Sequence, residues 1–173
     1  MRRRFFTELN TNKYFSIELL EDGNIIVCNI DIIDNQYNYL LKYSKNNISN
    51  WEPIKSIISN GLGDIIYFKC AKWEVESLVI SVESPCKIKG NPLSLCGYIP
   101  NTNTNFSSFL SRINVVEIDD SFWYNISMNY DLYIGLFASN YYITSISIPD
   151  YITKIPSNFF FKLYKSYRHY YSQ

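Results

Sequence analysis

The first hundred residues are divided into short apolar runs at roughly regular intervals, separated by Gly, Asn and Pro, and few folds suit such a chain. Phe15–Leu19, Ile25–Ile32 and Asp64–Cys70 are the clearest runs; each is too short for a stable helix and long enough for a strand. The residue choice agrees. Ile is the commonest residue and Tyr occurs 16 times, and both favour strands. Ala, the best helix former, occurs only at positions 71 and 138. The abundant Asn favours turns and positive φ. An AT-rich coding sequence accounts for the bias towards Ile, Asn, Tyr, Lys and Phe, and its physical consequence is a mainly β chain with many turns.

Bulk properties narrow the function. Apolar residues make up 47% and charged residues 18%, which is ample for a packed core. Basic and acidic side chains balance at 16 each, leaving no electrostatic footprint for nucleic acid. The longest apolar run falls well short of a membrane-spanning helix. Met1-Arg2-Arg3-Arg4-Phe5-Phe6 starts like an export signal but lacks its apolar stretch, so no route to secretion is expected.

Along the chain, residues 1–13 form a basic arm, either flexible or docking. Residues 14–100 are expected to be an antiparallel β-sandwich. Within it, Tyr14–Leu20 and Ile25–Ile32 flank Glu21-Asp22-Gly23-Asn24 as a hairpin. Further strands are expected over Tyr37–Tyr43, Asp64–Cys70, Glu76–Val82 and Cys86–Lys89. After the polar link Pro100–Asn105 the pattern changes. Bulky pairs recur at an even spacing, at Phe109-Leu110, Leu136-Phe137 and Leu163-Tyr164, and Val115–Ile118 and Ile143–Pro149 follow the first two as short strands. That spacing predicts two to three leucine-rich-repeat-like strand/turn units over 106–173, too few to bury their own face. Apolar residues at 160, 163, 164, 167, 170 and 171 have the spacing of an amphipathic helix, which would cap the last unit or dock on a neighbour.

Ile143-Thr144-Ser145-Ile146-Ser147-Ile148-Pro149 with Ile152-Thr153-Lys154-Ile155 and Phe159-Phe160 resembles the BspA-type leucine-rich repeat. Upstream, Phe15-Ser16-Ile17-Glu18-Leu19-Leu20-Glu21-Asp22-Gly23, Trp51-Glu52-Pro53, Gly63–Lys69 and Gly90-Asn91-Pro92-Leu93-Ser94-Leu95 follow the block order of family members in gut Bacteroidetes and their crAss-like phages. The resemblance covers about residues 15–160. The family's Cys-x-x-Leu step is missing, and the repeats are few. The resemblance implies a non-enzymatic protein acting through protein–protein contacts: either a phage structural component (capsid decoration, head fibre or tail) or a Bacteroidetes surface adhesin that binds host glycan or protein. The absent export signal favours the virion. Partners are then other virion proteins or further copies of the chain.

Catalysis and cofactors find little in the residues. His169 is the lone histidine and sits near the C-terminus, where a surface role is expected. Asp119-Asp120 reads as a turn and helix cap, or as a carboxylate pair for metal or acid–base work. Cys28 and Cys70 lie in apolar runs as small hydrophobes, while Cys86 and Cys96 flank a Gly-Asn turn as free thiols or a pair. No phosphate loop, nucleophile elbow or calcium loop is present in the sequence, and neither a cofactor nor a metal is expected. Aromatics make up 17% of the chain, more than a core of this size ordinarily takes. Exposed rings suit interfaces or sugars. Trp73, Trp123, Phe160, Tyr164, Tyr167, His169, Tyr170 and Tyr171 are the candidate interaction surface, with Trp51 expected to pack structurally.

Overall fold

The computed structural model describes residues 14–28, 41–70, 79–92, 110–128 and 135–163. The strands are β1 (Phe15–Leu19), β2 (Gly23–Cys28), β3 (Leu41–Lys45), β4 (Glu52–Pro53), β5 (Ile57–Asn60), β6 (Ile65–Cys70), β7 (Val79–Gly90) and β8 (Ile113–Ile118), followed by one short helix, α1 (Asp120–Met128). The mainly β expectation holds. All eight strands belong to one curled, half-barrel sheet, and the second sheet of a sandwich is not found among the described residues.

β7 is the spine. Its C-terminal half pairs antiparallel with β1 (Leu19 opposite Cys86) and its N-terminal half with β2 (Ile25 opposite Val82). β1 and β2 are therefore two segments of one broken strand on the same edge of β7, and the expected hairpin between them is not formed. β6 and β5 form a second broken strand beside them, with Glu18 opposite Ile65 and Gly23 opposite Asn60 in unshifted register. Glu21-Asp22-Gly23-Asn24 is a corner, not a reversal. Its turn chemistry satisfies polar groups at a bend while the chain keeps its direction. On the other edge of β7, β8 runs parallel. The two short strands expected at Glu76–Val82 and Cys86–Lys89 are one continuous strand over the described part.

The curl follows from unequal path lengths around this corner. β1 and β2 advance from 19 to 25 while β7 moves from 86 to 82, and β8 only from 113 to 115 as β7 moves from 82 to 86. The path therefore shortens from strand to strand towards β8 for the same bend. Extra residues on one side of a ladder bend the strand and raise its twist. Pro85 sits at this irregularity, where a missing N–H does least harm, and its carbonyl accepts from Leu20 N–H at 2.9 Å.

The corner is tied with polar groups. Asp22 Oδ1 accepts from Leu62 N–H at 2.7 Å, and the Asp22 carbonyl accepts from the Ser84 hydroxyl at 3.0 Å. Asp64 gathers Gly61 N–H (2.7 Å), Asn46 Nδ2 (2.7 Å) and Lys45 Nζ (2.6 Å). These contacts hold its carboxyl down at about 2. Gly63 takes φ +81°, open to glycine at little cost.

The sheet's concave face is covered by α1 and by three stacked turns. Asp119 caps the helix, accepting from Ser121 N–H at 3.0 Å and from its hydroxyl at 2.6 Å, in agreement with the cap reading of Asp119-Asp120. The Ser121 hydroxyl accepts from Gly90 N–H at 3.0 Å, so the cap also fixes the helix to the end of β7. Rings then run from sheet to turns: Phe15 to Phe122 (6.5 Å between centroids), Phe122 to Phe137 (6.1 Å) and Phe137 to Phe159 (5.1 Å). One hydrophobic cluster thus joins residues on both sides of the Pro100–Asn105 link.

The turns occupy residues 110–112, 135–139 and 157–162 of the described chain. Leu110 N–H donates to the Leu136 carbonyl (3.2 Å), Phe137 N–H to Phe159 (3.0 Å) and Ser139 N–H to Phe161 (2.8 Å). Positive φ occurs at Gly135 and Ser139 and again at Asn158 and Lys162, so the backbone path of the second turn is repeated in the third. Phe137 lies over Phe159; Tyr164, the third bulky pair's second member, lies outside the described residues. Ile143–Pro149, expected as a strand, is not hydrogen-bonded into the sheet as one, although Ile146 and Ile148 pack against the core. Phe160–Leu163 does not start a helix, because Lys162 at φ +50° breaks the helical path. The rest of the expected cap helix lies outside the described residues, as does the 1–13 arm.

Candidate interaction surfaces

The structure sorts the aromatic excess into core and surface. Trp123, a candidate surface residue from sequence, is 1% exposed. It lies on the inner side of α1 against Phe159, with ring centroids 6.2 Å apart, and its indole N–H has no hydrogen-bond partner. The reason is helical phase: Phe122, Trp123 and Ile126 share the side of α1 that meets the sheet. Phe160 is half-buried and stacks on Phe137 (5.8 Å). Trp73, Tyr164, Tyr167, His169, Tyr170 and Tyr171 lie outside the described residues, as does Cys96.

Exposed rings occur where no clear signal stands in the sequence. Asp120, Tyr124 and Met128 follow one another at i, i+4 steps, so they form one stripe along α1. Met128 is 65% exposed and Tyr124 48%. Tyr151 joins the stripe at its N-terminal end, its hydroxyl 3.4 Å from both the Asp120 carbonyl and Oδ1. Burial, and then the Asp120 charge, push the Tyr151 phenol up to about 12. It therefore remains a neutral donor across the working pH range. Tyr141 and Phe161 are also exposed, on the stacked turns. The helical period of the stripe is readable in the sequence, but which side of so short a helix meets the sheet is not.

A second surface lies on the outer face of the sheet. Trp51 packs structurally, as expected: its indole N–H donates to the Ile48 carbonyl at 2.8 Å and its ring sits 5.1 Å from that of Tyr14. Lys69 places its ammonium 3.9 Å from the centre of the Trp51 ring. Lys42 is the cross-strand partner of Lys69. Burial, and then the Lys42 charge, lower the Lys69 pKa. Further along this face the charges alternate: Glu18 pairs with Lys89 at 2.5 Å, and Lys87 pairs with Glu117 and Asp119.

Among the described residues no group of His, Cys, Asp and Glu is arranged to hold a metal ion. Cys86 is a free thiol, fully buried, and burial pushes its pKa up to about 12. No helix of the described residues is long and apolar enough to cross a membrane. Compared with known proteins, the chain matches no family model, no curated protein and no solved structure.

Proposed function

We propose that the chain is a non-enzymatic structural protein of a phage particle, a decoration, head-fibre or tail-associated component that docks on other virion proteins through the exposed stripe of α1. The observation that carries this reading is the position of Tyr124, Met128 and Tyr151. They are large, exposed side chains on elements whose opposite faces pack on the core. Contact area held on a rigid base costs little entropy on binding, and Tyr and Met are favoured at the centre of interfaces. The ordered blocks from Phe15 to Phe160 that resemble the BspA-type module support the same assignment. So do the turns at 135–140 and 157–162, which we take as two units of such a repeat; the step from Gly135 to Asn158 lies within the leucine-rich range. Mass spectrometry of purified particles tests the reading. The protein is expected at constant copy number per particle, and its absence from them would overturn the assignment.

A further inference from the structure

The outer face of the sheet contains an arrangement that folding alone does not favour. Lys42 on β3 and Lys69 on β6 are register partners, so their side chains leave the same face side by side. Like charges directly opposed across strands oppose folding. Other lysines of this sheet are compensated: Lys45 by Asp64, Lys87 by Glu117 and Asp119, and Lys89 by Glu18. Among the described residues, Lys42 and Lys69 have no carboxylate within ion-pair distance.

The surroundings hold Lys69 in place. The Trp51 ring carries the Lys69 ammonium at 3.9 Å, and Trp51 is itself fixed by its bond to the Ile48 carbonyl and by Tyr14. A cation over a ring face is attracted by the ring quadrupole, so the headgroup has a defined position before any ligand arrives. Tyr67, next but one to Lys69 on β6, projects on the same face.

We propose that Lys42 and Lys69, beside Trp51 and Tyr14, bind the carboxylate or sulfate group of an acidic saccharide. The two ammonium groups supply charge that no carboxylate among the described residues answers. The neighbouring rings are only partly buried, so they leave aromatic surface for apolar contact with a pyranose, with a phenol for its hydroxyls. This surface shares no residue with the α1 stripe, so its test is independent of particle docking.

The discriminating variant is Lys42→Glu. It places a carboxylate opposite Lys69 and removes the anion site, so the protein should become more stable while losing ligand. The experiment is titration of the full chain with a sulfated heparin hexasaccharide, an oligogalacturonate, a neutral dextran oligosaccharide and an oligoglutamate, at low and high salt. One or both acidic saccharides should bind and dextran should not, with binding weakening as salt rises. Affinity should fall at least about tenfold in Lys42→Glu and in Lys69→Gln, with a higher melting temperature for Lys42→Glu. Lys42→Gln serves as the second variant if Lys42→Glu does not fold. Absence of binding to either acidic saccharide overturns the proposal. So does equal binding of dextran, unchanged affinity in the variants, or oligoglutamate binding as tightly as the saccharides.

Discussion

Ser84 on β7 occupies the space that a side chain on Gly23 would need: a Cβ at Gly23 would lie 2.0 Å from the Ser84 hydroxyl oxygen and 2.9 Å from its Cβ. The same hydroxyl donates to the Asp22 carbonyl at 3.0 Å, so it cannot swing away without breaking a tie of the corner. Gly23→Ala is therefore expected to cost about 2 kcal/mol, in the range of overpacking. Adding Ser84→Gly should recover part of that loss. Urea unfolding of the two single variants and the double variant measures the coupling. Additive effects would show that the two positions do not compete for space.

Asn140 is fully buried and joins two of the stacked turns. Its Nδ2 donates to the carbonyls of Leu110 (2.6 Å) and Ile113 (3.0 Å), and its Oδ1 accepts from the N–H groups of Tyr142 (2.8 Å) and Ile143 (2.9 Å). Asn140→Ala strands buried backbone groups on both turns, so a loss of about 3 kcal/mol is expected. Asn140→Asp should be no better, because a carboxylate would face two carbonyls. The midpoint and slope of chemical unfolding read this directly.

The corner also predicts a pH dependence. Asp64 has its folded-state pKa lowered from 3.8 to about 2, by Lys45 first and then by Asn46 and the Gly61 N–H. A carboxyl depressed on folding stabilises the protein above its unfolded value and ceases to do so as pH falls through the folded one. Its contribution is intact above about pH 4 and disappears between about pH 4 and pH 2. Melting temperature across that interval should fall more steeply in wild type than in Asp64→Asn. Parallel curves would remove Asp64 from the account.

How far the sequence can be read is shown by the same residues. The strands at Phe15–Leu19 and Ile65–Cys70 are legible, because alternation and β-branched content are local properties. The direction of the chain at Glu21-Asp22-Gly23-Asn24 is not. A turn signal reports positive φ and polar satisfaction, and both a reversal and a corner require those. What distinguishes them is pairing with β7 and β5, which lie far along the chain from the turn. The matching backbone paths of the turns at 135–139 and 158–162 are hidden for a related reason. Bulky Leu-Phe pairs mark the core, whereas Gly135, Asn158, Ser139 and Lys162 set the backbone path, and Ser and Lys do not announce a positive φ. The burial of Trp123 escapes the sequence because the inner side of so short a helix depends on what packs against it.

Trp123 provides a prediction of its own. Its indole N–H is buried without a partner, and such a group weakens the core that holds it. Trp123→Phe removes this group along with some volume, so the two effects offset and the net change should stay within about 1 kcal/mol. Trp123→Ala leaves a cavity and should cost about 4 kcal/mol. If Trp123→Phe proved as damaging as Trp123→Ala, the indole N–H would have to be satisfied.

Cys86 should be inert towards iodoacetamide in the folded protein at mildly alkaline pH and react once urea unfolds it, since the thiol is buried and its pKa is raised to about 12. Peptide mapping by mass spectrometry separates it from the other cysteines. Rapid labelling in the native state would contradict its place in the core.

The proposed incorporation of this chain into a particle through α1 is measured most directly by the copy number of a surface variant. Met128→Asp and Tyr124→Ser change exposed side chains and should leave stability within about 0.5 kcal/mol. Particles assembled with the double variant in place of wild type are predicted to lack the protein, while the purified variant melts as wild type does. Incorporation of the variant at the wild-type copy number would contradict the account.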